Sequence, residues 1–143
     1  MRDLHNNLTP VVALDPAVLT TDATSAYLDL AGFEGAEVFM NLGASATSLS
    51  GSVTVSGKLL HSDASGSGFV AVPEAEMLGA VAGTTTGEFF LADDPTEDEC
   101  VHSVGYIGGK RYLKVMADLT GTFSGGGIPV GAVLVKGVAR HEA

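Results

Sequence analysis

The sequence predicts an all-β protein, built as an antiparallel β-sandwich or a jelly-roll-like barrel of about eight short strands. Three observations predict it. Apolar and polar residues alternate in short runs, the period of a half-buried strand rather than of a helix. Nineteen glycines in 143 residues, with many serines and threonines, supply turn signals throughout. The hydrophobic fraction is 45 % although tryptophan is absent and aromatics make up only 6 %, so Val, Leu, Ala and a few Phe must build the core. A chain of this length can bury roughly two thirds of its unfolded surface without metals or disulfides.

Taken in order, residues 1–12 form an expected extended N-terminal arm and residues 13–143 a single β domain. Pro10-Val11-Val12-Ala13-Leu14 reads as a first strand ended by Asp15-Pro16, with 15–19 as turn and bridge. Ser25–Leu30 and Ala36–Leu42 alternate well, and Gly32-Phe33-Glu34-Gly35 between them predicts a hairpin. Residues 43–51 read as a flexible loop. Val53, Val55, Gly57 and Leu59 share one face of a strand over about 52–61. After a second small-residue loop at 62–68 comes Phe69-Val70-Ala71-Val72. Pro73 to Gly79 predicts one helical turn, and Gly87–Leu91 a short strand. The acidic run 93–99 follows, then a hairpin over 99–118 turning at Gly108-Gly109. A glycine-rich loop at 121–127 leads to a final strand over 131–138.

Composition narrows the function. A formal charge of −10 opposes nucleic-acid binding, which depends on basic groups meeting phosphates, and equally opposes anionic membranes. The single cysteine, Cys100, excludes an internal disulfide and fits a reducing cytoplasm. No apolar run has the length of a signal peptide or a membrane span.

Catalytic, cofactor and metal motifs are missing. Asp93–Glu99 lacks the spacing of a calcium loop, and Pro95 breaks it. His5, His61, His102 and His141 form no His-x-His or His-Glu-x-x-His pair. Cys100 sits beside acidic residues, which disfavours a thiolate. There is no Gly-x-Ser-x-Gly elbow, and Gly125-Gly126-Gly127 has no Lys-Ser/Thr tail. No pair of carboxylates stands out for glycoside hydrolysis. The chain is therefore read as a non-enzyme without cofactors. One feature departs from the composition. Lys110, Arg111 and Lys114 put three of the seven basic residues beside Tyr106 and Tyr112. Arg and Tyr suit protein interfaces, so these five, with Arg2 and Leu4 of the arm, are the candidate contact residues. The alternative is that the lysines decorate a solvent face while Tyr112 covers core.

Five pieces carry a resemblance: Ala13–Leu19, Asp29-Leu30-Ala31-Gly32-Phe33, Leu59-Leu60-His61-Ser62-Asp63, Val104–Tyr112 and Gly131–Gly137. In this order, spanning about 13 to 137, they resemble the small auxiliary head proteins encoded beside the major capsid protein of tailed bacteriophages. The resemblance implies a virion structural protein that decorates or cements the capsid from its outer surface. It further implies manufacture in the bacterial cytoplasm and the major capsid protein as partner. A trimer is expected, because threefold positions are natural docking points on an icosahedral shell. Tail or head–tail connector components share the fold class, and a carbohydrate- or cell-surface-binding head-fibre module is a further alternative. The chain departs from the family pattern in a longer acidic insert around 93–99, and the motifs are structural, so no active-site residue is carried over.

Overall fold

In the computed structural model, which describes residues 3–139, two antiparallel sheets face each other as a β-sandwich. The first sheet contains β1 (Leu8–Leu19), β11 (Ile128–Ala139), β4 (Phe33–Leu42), β9 (Val101–Tyr106) and β7 (Met77–Leu78), in that spatial order. The second is organised around β5 (Thr54–Ser62) and β10 (Tyr112–Thr120). Two short strands, β2 (Ala23–Thr24) and β3 (Leu28–Asp29), pair with the free side of β10. On the other flank, β6 (Val70–Ala71) and β8 (Glu88–Ala92) pair with β5. Between β6 and β7 lies a single 3₁₀ turn, Glu74–Glu76, entered from Pro73, the only helical element among the described residues. Among the described residues no helix is long and apolar enough to cross a membrane.

Strict alternation produces the core. Val38, Met40 and Leu42 of β4 and Val130, Ala132 and Leu134 of β11 point inward from the first sheet. They meet Val55 and Leu59 of β5 and Leu113, Val115, Ala117 and Leu119 of β10. In a pleated strand every second side chain faces the same way, so these sets close one apolar layer between the sheets.

Four readings of the sequence are corrected. The hairpin expected over 99–118 does not form: β9 lies in the first sheet and β10 in the second. Residues 107–111 instead arch from one layer to the other. Gly108 and Gly109 do not adopt the positive φ of a two-residue hairpin turn. Gly108 is needed because a Cβ there would collide with the Tyr106 hydroxyl and the Glu76 carboxylate. The hairpin expected over 25–42 fails in the same way. β3 pairs with β10 while β4 pairs with β11 and β9, although Gly32 does take the turn's positive φ of 85°. Both errors arise because inward alternation is identical for two strands of one sheet and for two strands of facing sheets.

The third correction concerns the N-terminus. Residues 8–12 are not a free arm, since Leu8 to Val12 pair with Gly137 to Val133. β1 also continues through Asp15-Pro16 by shifting register twice, between Val12 and Leu14 and between Leu14 and Ala17. An edge strand can carry prolines because one of its sides makes no ladder bonds. Residues 3–7 ahead of it form a turn in which Asp3 accepts bonds from Asn6 and Asn7, and Leu4 is exposed. The loop expected to be flexible at 43–51 is tied down. Leu49 is buried, and the Thr47 hydroxyl donates to the Gly126 carbonyl while accepting from the Gly125 N–H.

Candidate interface at the arched end of the sandwich

Where β9 arches over to β10, four of the five sequence pieces singled out above come together. Tyr106 ends β9 with its ring buried and its hydroxyl reaching under the arch. That hydroxyl accepts the Lys110 N–H at 3.0 Å and lies 3.0 Å from Nδ1 of the buried His61 on β5. The Ile107 N–H donates to the Glu76 carbonyl at 3.0 Å, so the 3₁₀ turn forms the other support. Glu76 also places a carboxylate oxygen 3.4 Å from His61 Nδ1, and that buried oxygen has no hydrogen-bond partner. Desolvation pushes the His61 pKa down, opposed by the attraction of Glu76. Burial likewise raises the Tyr106 phenol.

On the outer side of the arch, the Arg111 guanidinium grips Asp29 with two parallel bonds, Nε to Oδ1 and Nη2 to Oδ2, both 2.8 Å. This fork-on-carboxylate geometry holds Asp29 at a pKa of about 2 and raises that of Arg111. The Leu30 N–H donates to the Arg111 carbonyl, and Lys136 Nζ donates to the Asp29 carbonyl while sitting over the Phe33 ring. Strand β11 thereby locks the same corner. A cleft of about 420 Å³ opens between residues 30–36 and 108–111.

Of the residues expected to contact a partner, Tyr106 is buried and holds the arch from beneath. Lys110 extends toward Asp63 at 3.9 Å, Arg111 is engaged by Asp29, and Lys114 lies over the Phe69 ring at 4.5 Å. Tyr112 packs edge-on against the exposed Tyr27, with the Arg111 guanidinium above its ring. Leu4 belongs to the N-terminal turn and does not join this cluster, and Arg2 lies outside the described residues. The sequence reading missed Asp29, Tyr27 and His61 as members of this corner. Asp29 and His61 lie within the resembling segments, whereas Tyr27 lies outside them.

Other candidate chemistry resolves into structure. In the acidic segment, Glu97 accepts the N–H groups of Asp93 and Asp94, Asp94 holds Thr96, and Asp98 accepts the Ser45 N–H. These carboxylates stitch a loop; among the described residues no group of three or more His, Cys, Asp or Glu gathers around a metal position. Cys100 does have a partner, passed over in the sequence although only two residues away: His102 Nε2 at 3.1 Å. Burial first, then Asp98 and Glu97, raises the thiol pKa, and His102 stacks flat on Phe90. A thiol held protonated in this way is a poor nucleophile.

No protein-family model and no curated protein matches the chain. Among solved structures, the chain is similar to the SPBc2 prophage-derived protein YomS, at 17 % identity and a TM-score of 0.39, over 90 % of this chain and 93 % of that one. It is also similar to a family two carbohydrate esterase from Cellvibrio japonicus, at 8 % identity and a TM-score of 0.35, over 95 % of this chain and 35 % of that one. A third likeness is to infectious bursal disease virus, Gx strain, at 14 % identity and a TM-score of 0.32, over 94 % of this chain and 32 % of the viral one. At such identities and TM-scores, none of the three decides what the chain does.

Proposed function

We propose that the chain is a non-enzymatic virion protein of a tailed bacteriophage, an auxiliary protein that binds the major capsid protein on the outside of the head and stabilises it. The observation that carries this reading is the convergence at the arched end. Pieces of the chain that resemble auxiliary head proteins, far apart in sequence, meet there through Arg111–Asp29, Lys136–Asp29, His61–Tyr106 and Lys110–Asp63. Their shared role is to fix one rigid corner bearing Lys110, Tyr112 and Tyr27. A preformed aromatic and basic corner loses little conformational entropy on docking, which suits adhesion repeated over a symmetric lattice. Threefold positions of the shell are the docking points this reading favours, with three copies at each.

Adding purified chain to assembled heads and measuring bound copies tests the reading. The double variant Lys110→Glu, Tyr112→Ala is expected to keep the wild-type circular dichroism spectrum while losing head occupancy. Undiminished occupancy would remove the arched end as the contact. Absence of binding by the wild-type chain itself would remove the capsid role. Deleting residues 1–12 is unsuited to this purpose, because the deletion strips five paired residues, Leu8 to Val12, from β1.

A further inference from the structure

The outer side of the first sheet differs from the rest of the surface. The register places Val12, Val133 and Phe39 in one row across β1, β11 and β4. They are 57 %, 38 % and 40 % exposed, and Val101 on β9 is 61 % exposed. Residues 10–14, 131–135 and 38–42, the middles of the three long strands, contain no charged side chain. Asp15 and Glu37 stand at the margins, and Lys136 turns away from this face toward the Asp29 carbonyl. A notch of about 330 Å³ interrupts the face, lined by Val12, Pro16, Phe39, Asn41, Pro129 and Val133 among others. Val101 pairs with Asn41, so a protruding apolar side chain stands next to the notch.

We propose that in solution this face is covered by a second copy of the chain, packed face to face about a two-fold axis. Three properties select that occupant. Each copy carries a net charge of −10, so two copies repel wherever acidic surfaces meet, and this face is where they can approach without opposing charges. Strands of 10–12 residues in β1, β11 and β4, with β9 beside them, give a whole-face footprint of about 600 Å² at about 3.3 Å per residue and about 4.8 Å per strand, of which the charge-free middles supply about half. The whole face, margins included, is therefore somewhat smaller than the roughly 800 Å² per partner of a standard stable interface. Knob and notch also share one face, which a self-complementary two-fold contact requires, since each copy offers what the other receives. The sheet edge offers no competing route. β1 is interrupted by Pro10, Pro16 and two register shifts, which block strand addition. The inference stands independently of the capsid reading.

Sedimentation velocity of the full chain across the micromolar range tests it. The expected mass is twice the 14.5 kDa of one chain. Phe39→Asp is expected to weaken the pair at least about 100-fold by burying an unpaired carboxylate, leaving a folded monomer. Val12→Lys carries the same expectation from an edge-strand position that cannot disturb the core, so a folding failure of Phe39→Asp leaves the test intact. Lys114→Glu, on the opposite sheet, is expected to keep the dimer. A wild-type monomer or trimer, or a dimer that survives Val12→Lys, would overturn the proposal. A wild-type monomer whose binding to heads is lost in Val12→Lys would assign the face to the shell instead.

Discussion

The two sheets are alike on their inner sides and unlike on their outer ones. Facing the core, both present the same small apolar residues at every second position. Facing outward, the second sheet shows Lys58 bonded to Asp118, Lys114 over Phe69 and the Tyr27–Tyr112 pair. The first sheet shows Val12, Val133 and Phe39 instead. Fold and solubility require only that the inner sides match; an antiparallel sheet normally turns polar groups to water. The long strands of the second sheet follow that rule, whereas the middle of the first sheet departs from it and leaves an apolar outer side that folding alone does not require.

The pleat itself gives the largest expected effect. Leu134 and Val133 are neighbours on β11, but Leu134 is fully buried between the sheets and Val133 faces out. Leu134→Ala should cost about 2–5 kcal/mol through lost contacts and the cavity left behind. Val133→Ala, measured by urea unfolding at a concentration where the chain is monomeric, should stay within about 0.5 kcal/mol. Comparable losses at both positions would mean that the outer face is covered within a single chain, and the contrast between the sheets would fail.

Next in size is a glycine of the second sheet. A Cβ on Gly57 would run into the rings of Phe89 and Phe90, which lie over β5 at that point. Those rings are buried and packed edge-on against each other, so they cannot swing away freely. Gly57→Ala should therefore lower stability by about 1–3 kcal/mol through overpacking. Gly51→Ala, where nothing lies within 4 Å, should be close to neutral. A thermal melt of the two variants separates a glycine required by close approach from one placed in a loop.

These two cases also show what the sequence made legible. The inward sets of β4 and β5 followed from period-two alternation alone, because burying one side of a strand leaves a pattern in the residue types themselves. Sheet membership left no such pattern. Val104 and Leu113 are both buried apolar residues, and nothing in either says that they belong to different layers. What decides it is the Tyr106 hydroxyl under the arch and the tight fit at Gly108, contacts between groups whose sequence roles looked unrelated. The candidate corner was half legible: Lys110, Arg111 and Tyr112 stand out by composition. Asp29, which neutralises Arg111, lies 82 residues away and could be found only in three dimensions.

Acid sharpens the comparison in a different way, since each sheet holds one substantially buried histidine, His61 on β5 and His102 on β9. Desolvation depresses both pKa values, so the unfolded chain binds protons more readily than the folded one. Their contribution to stability is thus complete above the unfolded value of about 6.5 and is lost as pH falls below it through the folded values. Urea midpoints at neutral and mildly acidic pH should show a smaller loss in His61→Gln than in the wild type. An equal loss in both would place the acid sensitivity elsewhere.

The smallest effect belongs to the ion pair on the second sheet's outer side. Lys58 and Asp118 touch across β5 and β10 and remain partly open to water. There the attraction is screened, and holding two side chains in one geometry costs entropy, so Lys58→Ala should destabilise by no more than about 1 kcal/mol. The difference from the wild type should shrink further as salt is raised, because ions screen charges still open to solvent. Phe39→Asp tests the reverse substitution of character, putting charge where the first sheet has none. Self-association should respond to that change far more than the Lys58 variant responds in stability. Were Lys58→Ala instead to abolish self-association while Phe39→Asp left it untouched, the charged sheet would be the adhesive one and the assignment of the two faces would have to be exchanged.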